Sequence, residues 1–396
     1  MTERLYYDNA YLTEFEGQVL ACRPNGDQYD VLLDRSAFYP TSGGQPYDTG
    51  TLGHARVTDV QVTDGQVWHT VTAPLCVGET VCGIIDWPRR FDHMQQHAGD
   101  HMIAGALHHL MGGVTIGLHI SDDVSTIDVA MPEGVTRISD EDFRRVEVYV
   151  NERIQRDVPI RCWFPEAEEL HILPLRKEPT VTEHVRIVAI GDDEMVACGG
   201  THPSTAGQLG MVKIVSVAPA RGKMRVSFLA GQRALKNYMD CHQAVHAASG
   251  LISANADTLV SSIVALQERL KVAEYELLKF KRDQLLSQAD QMLNKAELLP
   301  NGTKLVCRFV EADAALLRDM TSRLIEHPGV IALMGARTGD QAVYVFGRSA
   351  DVTADMGALL RDCARPLGGK GGGKPDFAQG GGCVEILEAA RLKLLQ

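Results

Sequence analysis

His97 and His101 stand four residues apart in the segment HAGDH, and Cys198 and His202 stand four apart in CGGTH, about a hundred residues further along. Three imidazoles and one thiolate form a ligand set that a tetrahedral zinc ion accepts. Residues four apart share one helix face, so the HxxxH half predicts a helix with both rings on one side. His93 continues that face, and its part in the site stays open. The CGGTH half predicts a turn, because Gly199 and Gly200 would each cost about 1 kcal/mol inside a helix relative to alanine. Four protein ligands close a structural zinc site, whereas a catalytic one keeps an open or displaceable position. One thiolate and three neutral imidazoles leave the ion a net positive charge, enough to polarise a carbonyl or acidify a water. The residue types define the ligands better than they define the role of the ion.

Two glycine-rich segments offer further polar chemistry. Residues 38–50, FYPTSGGQPYDTG, combine hydroxyls with glycines, which let a backbone approach a ligand closely. Ser36 and Thr41 place hydroxyls in or beside this segment, and His119 in GLHIS is a further polar candidate. Residues 368–382, GGKGGGKPDFAQGGG, hold eight glycines in fifteen positions. They are not a P-loop, since GKP lacks the following Ser or Thr and no GxxxxGK[ST] frame exists. Backbone N–H groups with Lys370 and Lys374 suit phosphates or a nucleic-acid backbone. Pro375, Phe377 and the apolar run 384–387 speak for an ordered loop. Other local basic sets are Arg89 and Arg90 ahead of the HxxxH helix, and Lys213, Arg221, Lys223 and Arg225 after CGGTH.

The elements that must position these groups are readable from periodicity. Residues 1–85 alternate apolar and polar in short runs such as 55–62 and 66–71, broken by Gly, Asp and Asn, which predicts a β-rich, barrel-like domain. At Pro88 the pattern turns helical, with the apolar positions Met94, Ile103, Leu107 and Leu110 continuing at helical spacing and Gly112–Gly113 as its end. A strand at 125–131, a helix at 140–156 and strands at 185–190 and 211–217 complete an α+β domain over 86–235. Residues 236–300 predict a helical hairpin or coiled coil. Leu259, Ile263, Leu266, Leu270, Ala273, Leu277 and Phe280 step alternately by four and three, which fits either a helix packed on its own chain or a dimer seam. Residues 301–396 read as an α/β module. The fold class is α+β multidomain.

Composition sets outer limits. At 396 residues, with 45% hydrophobic and 23% charged residues, the chain has the make-up of a globular protein of two or three domains. No apolar run reaches the length of a membrane span, and the N-terminus carries acids without the apolar core of a signal peptide. Nine scattered cysteines fit reduced thiols and a cytoplasmic protein. The net charge of −12 weighs against a nucleic-acid partner unless binding rests on local basic patches.

HxxxH followed by CGGTH, with the two glycine-rich segments and the smaller runs LPLRK at 173–177 and VRIVAIGDDEMVACGGTH at 185–202, resembles the editing domain of alanyl-tRNA synthetases and their stand-alone AlaX-type relatives. The C-terminal segment is similar to the globular domain that ends those synthetases and also follows DHH phosphoesterase domains. Because the chain starts directly in the editing region, the resemblance is to a free-standing editor of the long form. It implies zinc on His97, His101, Cys198 and His202. It implies substrate contacts among Ser36, Thr41, Gly43, Gly44, Gln45, His119 and Thr201, with no organic cofactor. Contacts to tRNA would come from Arg89, Arg90, Lys213, Arg221, Lys223, Lys370 and Lys374. Ala98 and Asp100 depart from the pattern, where Thr or Ser and a neutral residue are commoner.

The reaction so implied is hydrolysis of the ester that joins serine or glycine to the terminal adenosine of tRNA for alanine. A pocket built to bond a hydroxyl discriminates strongly against a substrate lacking it. Rival readings are a non-catalytic tRNA-binding protein stapled by zinc and a phosphodiesterase. Asp92–His93–Met94 is not a DHH motif, and the carboxylate clusters for two metals are missing.

Overall fold

The computed structural model describes all residues except Met1, Thr136, Arg137, Thr180, Asp193 and Arg221. The chain divides into two compact units, one ending at Ala247 and the other beginning at Ala248. Among the described residues no helix is long and apolar enough to cross a membrane.

The first unit opens with a closed barrel of six strands, β1 (Glu14–Asn25), β2 (Gln28–Leu33), β3 (Gly50–Leu52), β4 (Ala55–Thr63), β5 (Gln66–Val71) and β6 (Thr80–Ile85), paired in the order β1-β2-β5-β4-β3-β6. Alternate residues point inward, so Phe15, Val19, Val31, Leu33, Val57 and Val67 fill the interior. Asp64 and Gly65, with φ of 52° and 76°, turn β4 into β5 in the sense that suits strand twist.

Helix α1 (Trp87–Met111) follows at once, with Pro88 in its first turn and Gly112 closing it in the left-handed conformation. Beside it lies an antiparallel sheet of β7 (Val114–His119), β8 (Ser125–Ala130), β12 (Val212–Ala220) and β13 (Lys223–Ala230), in the order β12-β13-β8-β7. Met102, Ile103 and Leu107 of α1 share a core with Ile127, Val226 and Phe228 of that sheet. Helix α2 (Asp140–Gln155) buries Val146, Val150 and Ile154 in the same core, and the Ser139 hydroxyl caps it by accepting from the Asp142 N–H at 3.1 Å. A smaller antiparallel sheet of β9 (Ile160–Trp163), β10 (Ile187–Ile190) and β11 (Glu194–Ala197) delivers the chain into CGGTH.

One buried ion pair joins barrel and helix. Arg90 and Asp48 are both fully enclosed. The Arg90 Nε–H donates to both Asp48 oxygens at 3.0 and 2.9 Å, and its Nη groups donate to the carbonyls of Ala10 and Ala37. Asp48 also accepts the Tyr39 N–H at 2.6 Å.

Helix α3 (Gly231–Leu251) leads out of this unit, and α4 (Leu259–Leu293) belongs to the second. Only the C-terminal part of α4 is packed, through Leu285, Leu286, Ala289 and Met292. Much of the heptad seam is exposed, Leu266 by 49%, Leu270 by 59% and Phe280 by 66%. Beyond it, β14 (Lys304–Phe309), α5 (Ala314–Ile325) and β15 (Val330–Thr338) form a parallel crossover unit. Strand β16 (Gln341–Arg348), helix α6 (Met356–Ala364), strands β17 (Lys370–Gly373) and β18 (Phe377–Cys383) and helix α7 (Glu385–Leu395) complete the module. The glycine segment, expected as a loop, is the β17–β18 hairpin at the edge of a six-stranded sheet. Its glycines answer to packing. A β-carbon on Gly371 would strike Leu360 of α6, and one on Gly357 of α6 would strike the Gly373 carbonyl.

Asp48→Ala strands the Arg90 guanidinium in the interior and should cost about 3–5 kcal/mol of stability. The apolar pair Arg90→Met with Asp48→Leu should cost far less. Chemical denaturation of the variants measures both.

Candidate metal centre and its cleft

Helix α1 carries His97 and His101 one turn apart, and the turn after β11 carries Cys198 and His202. The ligand atoms of these four residues all lie within 4.8 Å of one another. Cys198 Sγ is 3.4 Å from Nε2 of His97 and 3.4 Å from Nε2 of His202. Sulfur and nitrogen sharing one tetrahedral zinc sit about 3.5 Å apart, given the usual bond lengths. Both ring nitrogens of His101 and Nδ1 of His202 are buried without a hydrogen-bond partner among the described residues. Polar atoms left so are costly, and a cation at the cluster removes the cost for those that face it. The residues therefore fit a zinc ion.

The electrostatics agree. Burial lowers His97 to about 3, with Arg186 adding to the effect. Burial and the neighbouring histidines hold His101 and His202 well below the ordinary range, so all three rings are neutral ligands. Burial pushes the Cys198 thiol up to about 12, against the pull of the Gly200 amide and Arg186. Such a thiol becomes a thiolate at neutral pH through a coordinated cation.

Gln45 sets the tautomer of His97. Its Oε1 accepts from His97 Nδ1–H at 2.8 Å and from the Thr201 N–H at 3.2 Å, while its Nε2 donates to Thr201 Oγ1 at 2.8 Å. His97 Nε2 is thereby left with its lone pair toward the cluster. Arg186 holds the turn itself, donating from Nη1 to the carbonyls of Cys198 at 3.1 Å and Gly200 at 2.8 Å. Gly200 has no room for a side chain, since a β-carbon there would overlap the His97 ring.

Three of the four ligands, His97, His101 and Cys198, line a cleft of about 580 Å³ together with Tyr7, Tyr39, Ser42, Gly43 and Leu118. Asp100 lines it too, almost wholly buried, and burial pushes its carboxyl up to about 7 against the pull of Arg176. A groove of about 610 Å³ between α2 and β12 gathers no comparable set of ligands.

Gln45 and Thr201 sit directly behind His97, and Gly43 lines the cleft, while Gly44 packs against the Leu118 carbonyl. The other sequence candidates are not brought there. Ser36 is inside the barrel, its hydroxyl donating to His69 Nε2 at 2.7 Å, because its strand position faces inward. Thr41 is on the outside, accepting from Gln61 at 3.3 Å, and His119 is exposed on β7. His93 is buried on α1 outside the four-ligand cluster.

Of the basic residues, Arg90 is consumed by Asp48 and cannot reach a phosphate. Arg89 is bonded to the Tyr47 carbonyl and Asp122, Lys213 to Glu147, and Lys223 and Arg225 to Asp128. Arg221 lies outside the described residues. Lys370 and Lys374 are exposed on the hairpin. Tyr39, Arg176 and Arg186 also line the cleft and lie within the segments 38–50, 173–177 and 185–202, but only the fold gives them a place there; Tyr7 lies outside every motif.

Three family models match parts of the chain: tRNA synthetases class II (A) over residues 3–89, the threonyl and alanyl tRNA synthetase second additional domain over 185–226, and the DHHA1 domain over 301–396. The alanine–tRNA ligase of Halorubrum lacusprofundi is 31% identical over 393 residues, covering 96% of this chain and 42% of that protein. Along nearly its whole length the chain is similar to alanine–tRNA ligases. The enzyme named so in Archaeoglobus fulgidus is 33% identical over 391 residues, again with 42% of its length covered. The chain thus spans about two fifths of these relatives. Among solved structures, the C-Ala domain of Aquifex aeolicus alanyl-tRNA synthetase aligns with 25% of this chain at 25% identity and a TM-score of 0.23.

Purified protein should carry about one zinc per chain. Cys198→Ala, which removes the sole thiolate of the cluster, should lose most of it. Gln45→Ala should weaken zinc binding about 10- to 100-fold by freeing the His97 ring, and His93→Ala should leave the metal in place. Elemental analysis with chelator competition reads all three.

Proposed function

We propose that this chain is a trans-editing hydrolase that removes serine or glycine wrongly esterified to the terminal adenosine of tRNA for alanine. The observation that carries the proposal is the His97–His101–Cys198–His202 cluster, three of whose residues line a cleft, in a chain similar to alanine–tRNA ligases. When bound by these four residues, zinc supplies a Lewis acid for the ester carbonyl or for water.

The chain's own residues do the rest. Gln45 Oε1 retains the proton on His97 Nδ1 and so preserves the ligand lone pair on Nε2. Arg186 keeps the Cys198–His202 turn closed. Water adds to the ester carbonyl, and the tetrahedral species collapses with departure of the ribose oxygen, which takes up a proton. Since Ser36 and Thr41 face elsewhere, the hydroxyls available to sense a seryl side chain are those on the cleft wall, Ser42 among them. The exposed Lys370 and Lys374 grip the tRNA backbone, and a second copy of the chain covers the exposed seam of α4. A cytoplasmic location goes with this role.

Zinc-loaded protein should deacylate seryl-tRNA for alanine and spare the correctly charged alanyl form, and Cys198→Ala should be inactive. Binding of the tRNA without deacylation would instead mark a zinc-stapled binding protein. Replacing Lys370 and Lys374 together by alanine should weaken tRNA binding. It should also reduce the slope of log affinity against log salt by about two, near one per lost phosphate contact. Filter binding across a salt series measures it.

A further inference from the structure

Asp100 is the buried group that the cluster leaves unused. It stands one residue before His101 and three after His97, on the same face of α1, and lines the cleft with them. It is only 5% exposed, its Oδ1 is enclosed without a partner, and no hydrogen bond or ion pair reaches it among the described residues. The cations nearby are already engaged. Arg176 donates from Nε to both oxygens of Glu194 at 2.8 and 3.0 Å and from Nη1 to Thr115 at 3.1 Å, and Arg186 is spent on two backbone carbonyls. The four-residue ligand cluster does not include Asp100. A carboxylate so placed is an acceptor waiting for a donor, and a positively charged donor repays its burial best.

We infer that Asp100 accepts the α-ammonium group of the aminoacyl ester, making the cleft specific for amino acids with a free amine. This rests on the proposed reading of the cleft as an aminoacyl-adenosine site. The chemistry is local. In an aminoacyl ester the ammonium is carried by the carbon next to the carbonyl. A carboxylate beside His97 and His101 that holds the ammonium therefore holds the carbonyl over the cluster. An N-acylated amino acid has lost the charge and keeps a single N–H donor, and its acyl group would press on a buried acceptor.

The test uses non-cleavable probes, the seryl amide of 3′-amino-3′-deoxyadenosine with its amine free or acetylated, titrated calorimetrically into the zinc-loaded full chain and into Asp100→Asn. The wild type should bind the free amine about tenfold or more tighter than the acetylated probe, the scale of one charge-assisted hydrogen bond. Asp100→Asn should narrow that ratio to near one while keeping its zinc. Equal binding of both probes by the wild type overturns the inference. So does an unchanged ratio in Asp100→Asn, a loss of zinc by that variant, or a variant that binds both probes as the wild type does but no longer cleaves the ester. If neither probe binds, the reading of the cleft falls and the inference with it. If the probes bind as expected but seryl-tRNA is not cleaved, Asp100 keeps its role and the deacylase reading alone fails.

Discussion

The site depends on a pair of charges that never meet water. Arg90, in the first turn of the helix that carries His97 and His101, and Asp48, near the end of the glycine-rich segment, are each fully enclosed. Burying either alone is prohibitive, so they are tolerated together, with two backbone carbonyls and one N–H completing their hydrogen bonds. The consequence is positional. The segment between Tyr39 and Asp48 is tied to the first turn of α1, and Gln45 within it arrives where its amide can reach the His97 ring. A swing of that segment would leave His97 Nδ1 without an acceptor and Thr201 without its partner.

Enclosure also governs the chemistry of the cluster. The three histidines are kept neutral by burial, with Arg186 and the neighbouring rings acting in the same direction. Neutral imidazoles are good ligands, but several of their nitrogens have no protein partner. The arrangement is therefore unfavourable without a cation and favourable with one, which couples metal binding to the order of the turn that carries Cys198 and His202. Gly200 belongs to the same constraint, because the close approach of the turn to His97 excludes any side chain at that position.

Much of this was legible in the linear order of residues. HxxxH at helical spacing, Pro88 at the start and Gly112 at the end define α1, and alternating apolar residues define the barrel strands. The ligand set follows from residue type and spacing. The glycine segment near the C-terminus was read as a loop because composition registers freedom of the backbone and not the close approach of a neighbour. The approach of Leu360 leaves Gly371 no room for a side chain, and the segment pairs as a hairpin.

What the sequence by itself determined is which side chains are capable of the chemistry: three imidazoles, one thiol and the elements that carry them. Only the tertiary structure decided which polar groups join them. Ser36 and Gln45 come from the same stretch of chain, yet one turns into the barrel and bonds His69 while the other orients His97. Arg89 and Arg90 are adjacent, yet one remains near the surface and the other is locked onto Asp48. In each pair the residue type is equally suited to either fate. The partner that decides lies 33 to 52 residues away in the chain, a separation no local pattern encodes.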